Sequence, residues 1–245
     1  MKSYLEEARN KFHRIISDKD LLKKEITIES RVLTPEEAIG NPERDDFPIL
    51  RGKERIMEAS FQGSFGHAFT NRPGNYNDTL ENIIKKELKN NFHRAVLIAA
   101  MNAVMRYLKM IQGTRHCRDE EPEECAEKLI SWIKEEYPER EKITLIGFQP
   151  SFIEKLSGVF ILKVLDLNED NFGKKYGVDV LDGEKHYKEA INWSDLTLVT
   201  GSVFVNDTIG KIALVRPVNE LVFYGVTVAA IAELLNLKRI CFCSG

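Results

Sequence analysis

The stretch Asp-Leu-Thr-Leu-Val-Thr-Gly-Ser-Val-Phe-Val-Asn-Asp-Thr, residues 195–208, decides the fold. Leu196, Thr197, Leu198 and Val199 form a short apolar, β-branched run that predicts a buried strand, and the run stops at Thr200, Gly201 and Ser202, where small polar groups replace bulk. A strand that ends this way is how α/β proteins present a site at the carboxyl edge of a sheet. Asn206 and Thr208 follow just before the apolar segment 209–215, so a polar loop is pinned between two core elements. The loop is read as a ligand contact.

Strands and helices alternate on both sides of this stretch. Residues 143–146 predict a strand ending in Gly147, Phe148, Gln149, Pro150 and Ser151, and residues 161–167 another ending in Asp166, Leu167 and Asn168. Residues 221–224 lead into Gly225, Val226 and Thr227, and residues 240–242 make a last short strand. The helical stretches between them, 150–156, 184–193 and 228–235, imply a mainly parallel sheet with helices on both faces. Its polar strand ends should converge on one edge.

The first half has a different texture. Residues 4–17 have apolar positions at helical spacing; residues 25–33, with Ile26, Ile28 and Val32, alternate like a strand, and Thr34-Pro35-Glu36-Glu37 resembles a helix cap. Residues 55–65 read as a second strand, with Gly63 and Gly66 marking a hairpin or bulge. Residues 93–110 predict a helix apolar nearly all round, and Asn102 inside it must be hydrogen-bonded, because an unpaired buried amide costs roughly 1–3 kcal/mol. It either ties down a neighbouring loop, the commoner fate of a buried polar group, or touches a ligand. The turn-rich segment 113–125 and the amphipathic helix 126–137 divide the chain into a lobe at 1–115, a linker and helix at 116–141, and a second lobe at 142–245.

The 245 residues are 43% apolar and carry a net charge of −3 with both signs interspersed, which predicts a packed protein without a basic footprint for nucleic acid or a polybasic membrane patch. No apolar run is long enough to span a membrane, and the charged amino-terminal stretch lacks the apolar centre of a signal peptide. These features place the protein in the cytoplasm with a small partner, and leave a homo-oligomer open. Four cysteines in such a chain point to free thiols, metal ligands or core residues.

Several residues could carry chemistry. Pro150 and Ser151 open a helix whose free N–H groups suit an anion. Asp166, about 20 residues beyond Gly147, stands where a nucleotide-binding fold places its ribose-binding acid, and is equally suited to capping the loop after its strand. Gly-Phe-Gln-Pro-Ser-Phe lacks the glycines of a dinucleotide fingerprint, which argues against a standard NAD or FAD site. His116, Cys117 and Cys125 could contribute to a soft-metal site, and His67 sits in a glycine-marked bend, but the spacing matches no zinc-finger pattern. Cys241 and Cys243, two apart on the expected last strand, read as small buried hydrophobes, as do the other two cysteines. Ser202 has no nucleophile elbow.

Together, Gly147-Phe148-Gln149-Pro150, Val164-Leu165-Asp166-Leu167-Asn168 with Asn171-Phe172-Gly173, residues 195–208, and Tyr224-Gly225-Val226-Thr227 resemble the putative heavy-metal chelation domain family. Gly66-His67-Ala68-Phe69-Thr70 and Ala99-Ala100-Met101-Asn102-Ala103 are similar to its usual amino-terminal partner, which resembles the amino-terminal domain of enolases. The resemblance implies an enolase-N-terminal-like α+β lobe followed by a Rossmann-like, mainly parallel lobe, with a site in the crevice between them. It also implies handling of a heavy-metal ion or metal chelate, with a suggested link to cobalamin-type metabolism. Carried over by position, the ligand contacts are Gly147, Phe148, Pro150, Asp166, Asn168, Thr200, Gly201, Ser202, Asn206, Thr208, Gly225 and Thr227, facing Thr70 and Asn102. Asp207 departs from the pattern, which has glycine after the asparagine.

Two expectations follow. The protein binds a metal ion or metal-bearing small molecule through oxygen-rich loops, with His67, His116, Cys117 and Cys125 as the candidates for direct metal ligation. Alternatively it is an enzyme acting on a phosphorylated or nucleotide-like ligand at the same strand ends.

Overall fold

The computed structural model of the protein describes residues 3–22, 27–51 and 54–245. Glu25 and Ile26, expected in the first strand, lie outside the described residues. In the first lobe, helix α1 (Tyr4–Asp18) buries Leu5, Ala8, Phe12 and Ile16 on one face. Strand β1 (Thr27–Val32) leads to α2 (Pro35–Ile39), where the expected cap forms: the Thr34 hydroxyl accepts from the Glu37 N–H and the Glu37 carboxylate accepts from the Thr34 N–H. Such a cap stabilises a helix start by about 1 kcal/mol. After α3 (Pro48–Arg51) come β2 (Arg55–Phe61), β3 (Ser64–Thr70), β4 (Tyr76–Thr79), α4 (Leu80–Lys85) and α5 (Asn91–Tyr107).

The sheet is antiparallel in the order β3-β2-β1-β4. The hairpin marked by Gly63 forms, and it ends the strand expected over 55–65 at Phe61, because Gln62 and Gly63 both take left-handed φ values of 49° and 78°. Every residue of α5 from Ala95 to Met105 is buried. Its apolar circumference has a tertiary cause: β2 and β3 pack on one side, and elements of the second lobe on another.

Helix α6 (Glu121–Glu136) precedes the second lobe, which runs β5 (Lys142–Ile146), α7 (Pro150–Ser157), β6 (Ile161–Asp166), β7 (Gly173–Lys175), β8 (Val178–Asp182), α8 (Gly183–Trp193), β9 (Leu196–Thr200), α9 (Ser202–Val205), α10 (Ile209–Ala213), β10 (Val222–Tyr224), α11 (Ala229–Leu235) and β11 (Lys238–Ile240). The sheet order is β11-β10-β9-β5-β6-β8-β7, parallel throughout except for the edge hairpin β7–β8. Without that edge strand, the order is that of the doubly wound nucleotide-binding sheets. The hairpin carries no sequence signal, since its strands are short and charged. The expected last strand at 240–242 lies earlier: Asn236 ends α11 in the left-handed region at φ 54° and the chain re-enters the sheet at once. Cys241 and Cys243 therefore lie beyond the strand.

Side-chain alternation distributes the parallel sheet between two cores. Val199 and Phe223 join a large apolar cluster that includes Phe12, Phe61 and Leu97 of the first lobe, so the two sheets share one core. Leu198 and Val222 face the opposite way, into a cluster with Leu129 and Ile133 of α6 and Ile153 of α7. Among the described residues no helix is long and apolar enough to cross a membrane.

Candidate functional site

From β5 the chain runs to β6 and β8 on one side, then returns to β9 on the other. The loops at the carboxyl ends of β5 and β9 diverge at this switch point and leave a crevice. The first lobe lies across it, enclosing a cavity of about 760 Å³.

Each wall is held by backbone geometry. Gly147 takes φ 106°, and a Cβ there would lie 2.7 Å from both Thr200 Cγ2 and the Tyr224 hydroxyl, so only glycine fits where three strand ends meet. The Tyr224 hydroxyl donates to the carbonyl oxygens of Ile146 and Gly147 at 3.1 and 3.2 Å. Burial holds that phenol well above its ordinary range, so it stays neutral. Asp166 accepts from the Phe148 N–H at 2.8 Å, the Asn168 N–H at 2.8 Å and Asn171 Nδ2 at 3.0 Å. It thus ties the β5 and β6 loops together while bordering the cavity.

On the β9 side, the Ser202 N–H donates to Thr200 Oγ1 at 3.4 Å, and Gly201 admits the β10 loop, whose Val228 nitrogen would be 2.7 Å from a Cβ. Asn206 accepts from Asn91 Nδ2 at 3.0 Å, and Thr227 Oγ1 accepts from the Phe69 N–H at 3.1 Å; both bonds join the lobes. Asp207 takes φ 58°, a left-handed conformation that aspartate tolerates.

All the expected contacts from the second lobe border the cavity: Gly147, Phe148 and Pro150, then Asp166 and Asn168, then Thr200, Gly201, Ser202, Asn206 and Thr208, and finally Gly225 and Thr227. Thr70 and Asn102 are buried elsewhere. Thr70 Oγ1 accepts from the Arg72 N–H at 3.1 Å. Asn102 Nδ2 donates to the carbonyls of His67, Val226 and Thr227, and its Oδ1 accepts from the Ala230 N–H, so its amide is a tie between lobes.

Among the residues expected to ligate metal, His116, Cys117 and Cys125 border the cavity and His67 does not. Both ring nitrogens of His67 are engaged: Nδ1 accepts from the His116 N–H at 3.0 Å, which fixes the proton on Nε2, and Nε2 donates to Glu58 Oε2 at 3.0 Å. Burial lowers the His67 pKa despite Glu58, so the ring is neutral near neutral pH. Burial alone would raise the Glu58 carboxyl, but the bond from His67 and the charges of Arg31 and Arg115 hold it below its usual range. His67 is a structural member of this network. The His116 ring, edge-on to Phe69, has a buried Nδ1 without a hydrogen-bond partner among the described residues, and burial with the nearby His67 pushes it down to about 4. The four cysteines gather from three segments into mutual electrostatic range. Burial raises Cys117 well above its ordinary value and Cys125 to about 12, so both are thiols rather than the thiolates that bind metal. Among the described residues, no three His, Cys, Asp or Glu side chains are placed to hold an ion.

Sequence reasoning missed Glu54, Phe69 and Cys241, which also line the cavity. Glu54 lies in a charged run that carries no periodic signal. The described wall is acidic, with Glu54, Asp166, Glu169, Asp182 and Glu184 against Lys211, whose ammonium is bonded to Glu184.

Residues 131–241 match the family model described as putative heavy-metal chelation. Two solved structures of that family, both of unknown function, are similar to the chain. The one from Pyrococcus horikoshii is 16% identical with a TM-score of 0.56, covering 91% of this chain and 79% of its own. The one from Desulfitobacterium hafniense DCB-2 is 12% identical with a TM-score of 0.50, covering 74% of this chain and 72% of its own. At such identities the likeness speaks to fold, and the enolase-like character of the first lobe remains a resemblance of sequence. No curated protein matches the chain.

Proposed function

We propose that this chain, whose second lobe carries the sequence of the putative heavy-metal chelation family, binds a metal-bearing small molecule in the interlobe cavity. The observation that carries the reading is a cavity of about 760 Å³ with an acidic described wall and no ready-made ion site among the described residues. That volume is in the range of small-molecule pockets, far larger than a bare ion needs. A metal that arrives already chelated brings its own ligands and needs from the protein only shape, hydrogen bonds and negative charge. The acidic wall attracts its cationic centre. Free cysteines suit a reducing cytoplasm.

A nucleotide-like or phosphorylated ligand is the second reading, and the strand order favours it. Phosphate would face the acidic wall, however, and the start of α7 is already capped by the Gln149 side chain, which accepts from the Phe152 N–H. Thermal shift and calorimetry on tag-free protein separate the two, using zinc, cobalt and nickel ions alone, their citrate chelates, a corrinoid and ATP. The chelates or the corrinoid should raise the unfolding temperature more than the bare ions; stabilisation by ATP alone sinks the metal reading. Ser202→Ala should weaken binding of the stabilising chelate roughly three- to ten-fold, the worth of one neutral hydrogen bond. Unchanged affinity would remove the β9 loop from the site.

A further inference from the structure

Among the described residues, Glu54 of the first lobe and Asp166, Glu169, Asp182 and Glu184 of the second bring carboxyl groups to the cavity. Asp166 accepts three N–H hydrogen bonds, which its ionised form satisfies. Glu54 differs from it in its donors. Its main-chain carbonyl accepts from Arg55 Nη1 at 2.9 Å, but among the described residues no donor reaches its carboxylate. A low-dielectric cavity does not hold two ionised carboxylates cheaply, and the proton goes to the one with fewer donors. Burial first, then the charge of Asp166, push Glu54 up to about 7. Burial raises Asp166 as well, but its hydrogen bonds to Asn168, Asn171 and Phe148 oppose that.

The other titratable neighbours are poor proton sources near neutral pH. Tyr224, whose phenol feels both Asp166 and Glu54, is held neutral and donates its proton to backbone carbonyls. His116 at about 4 has no proton to give near pH 7, and Lys211 is paired with Glu184. Environments that separate two carboxyl groups in this way are how acid and base roles are assigned in known sites.

We propose that Glu54 is the proton donor of this site, giving its carboxyl proton to a basic atom of the molecule bound between the lobes while Asp166 stays ionised opposite it. The inference rests on the metal-chelate reading and names what the site does to its ligand. With a chelate, the basic atom is a donor oxygen or nitrogen of the chelator. The proton leaves Glu54, the metal–donor bond breaks, and the electron pair of that bond forms the new bond to hydrogen. A solvent water takes the vacated position on the metal, the carboxylate left behind offsets the charge freed there, and solvent later returns the proton to Glu54. No oxidant or reductant is needed.

Two measurements on the full chain decide it. In protein with carbon-labelled glutamate, the carboxyl resonance missing from Glu54→Gln should titrate near neutral pH and move downwards in Asp166→Asn; titration in the ordinary carboxylate range overturns the proposal. With zinc–pyridylazoresorcinol as probe and excess EDTA as zinc acceptor, the wild type should bind the complex and speed its dissociation, seen as faster bleaching. Glu54→Gln should lose roughly a hundred-fold of the acceleration, a far larger loss than any change in the affinity read by calorimetry, with partial rescue by Glu54→Asp. Binding without acceleration, or acceleration that survives in Glu54→Gln, overturns the proton-donor role and spares the binding reading. Absence of binding sinks both.

Discussion

Asn102→Ala is expected to lower the free energy of unfolding by about 4 kcal/mol, read from urea denaturation followed by circular dichroism. The side chain is fully buried in α5 and serves four backbone groups: the carbonyls of His67, Val226 and Thr227 and the N–H of Ala230. Removing it strands a buried acceptor on β3, two in the β10–α11 loop and a donor in the first turn of α11. Each buried orphan costs about 1–3 kcal/mol, and the sum is less than additive because neighbours relax together. Asn102→Asp keeps the acceptor for Ala230 but loses both amide donors and buries a charge, so it should be no milder. A loss below about 1 kcal/mol for Asn102→Ala would mean that these groups find other partners, and would dismiss the amide as the tie between the lobes. Because Val226 and Thr227 border the cavity, binding should also weaken in protein that remains folded.

Gly66→Val should be at least as damaging, for a steric rather than a polar reason. A Cβ at Gly66 would lie 2.3 Å from the Ala103 nitrogen and 2.4 Å from the Ala99 carbonyl oxygen. These are backbone atoms of α5, which cannot rotate away, so the helix must lift off the sheet. Overpacking a core typically costs about 1–3 kcal/mol, and a clash with helix backbone belongs at or beyond the top of that range. The unfolding midpoint should fall by roughly 10 °C or more, or the variant should fail to accumulate as folded protein. Gly63→Ala is the control. Gly63 has φ 78°, but a methyl group there would meet nothing within 4 Å, so only backbone strain of about 1 kcal/mol is expected. Equal losses at the two positions would show that conformation rather than close packing explains Gly66.

Much of the second lobe was legible because its strands are apolar runs that stop at small or polar residues. The loops after Ile146, Asp166, Thr200 and Tyr224 carry this punctuation, and all four border the cavity. The hairpin of β7 and β8 carried none of it: Gly173-Lys-Lys and the segment from Val178 to Asp182 are too short and polar to show a period. Glu54 was invisible for a related reason. In a charged run, a carboxylate facing a cavity and one facing water look alike, and its perturbation comes from burial and from Asp166, more than a hundred residues away in the chain.

By itself the sequence determined the alternation of strand and helix, the edge of the sheet where polar loops gather, the cap at Thr34 and the need of Asn102 for partners. These are local matters, set by period, by capping chemistry and by the cost of burying an amide. Tertiary structure alone decided what those partners are, that His67 spends both ring nitrogens inside a buried network, that cysteines of three segments come within electrostatic reach, and that Glu54 feels the charge of Asp166. Each depends on burial and distance between segments far apart in the chain, and such contacts leave no period in one sequence.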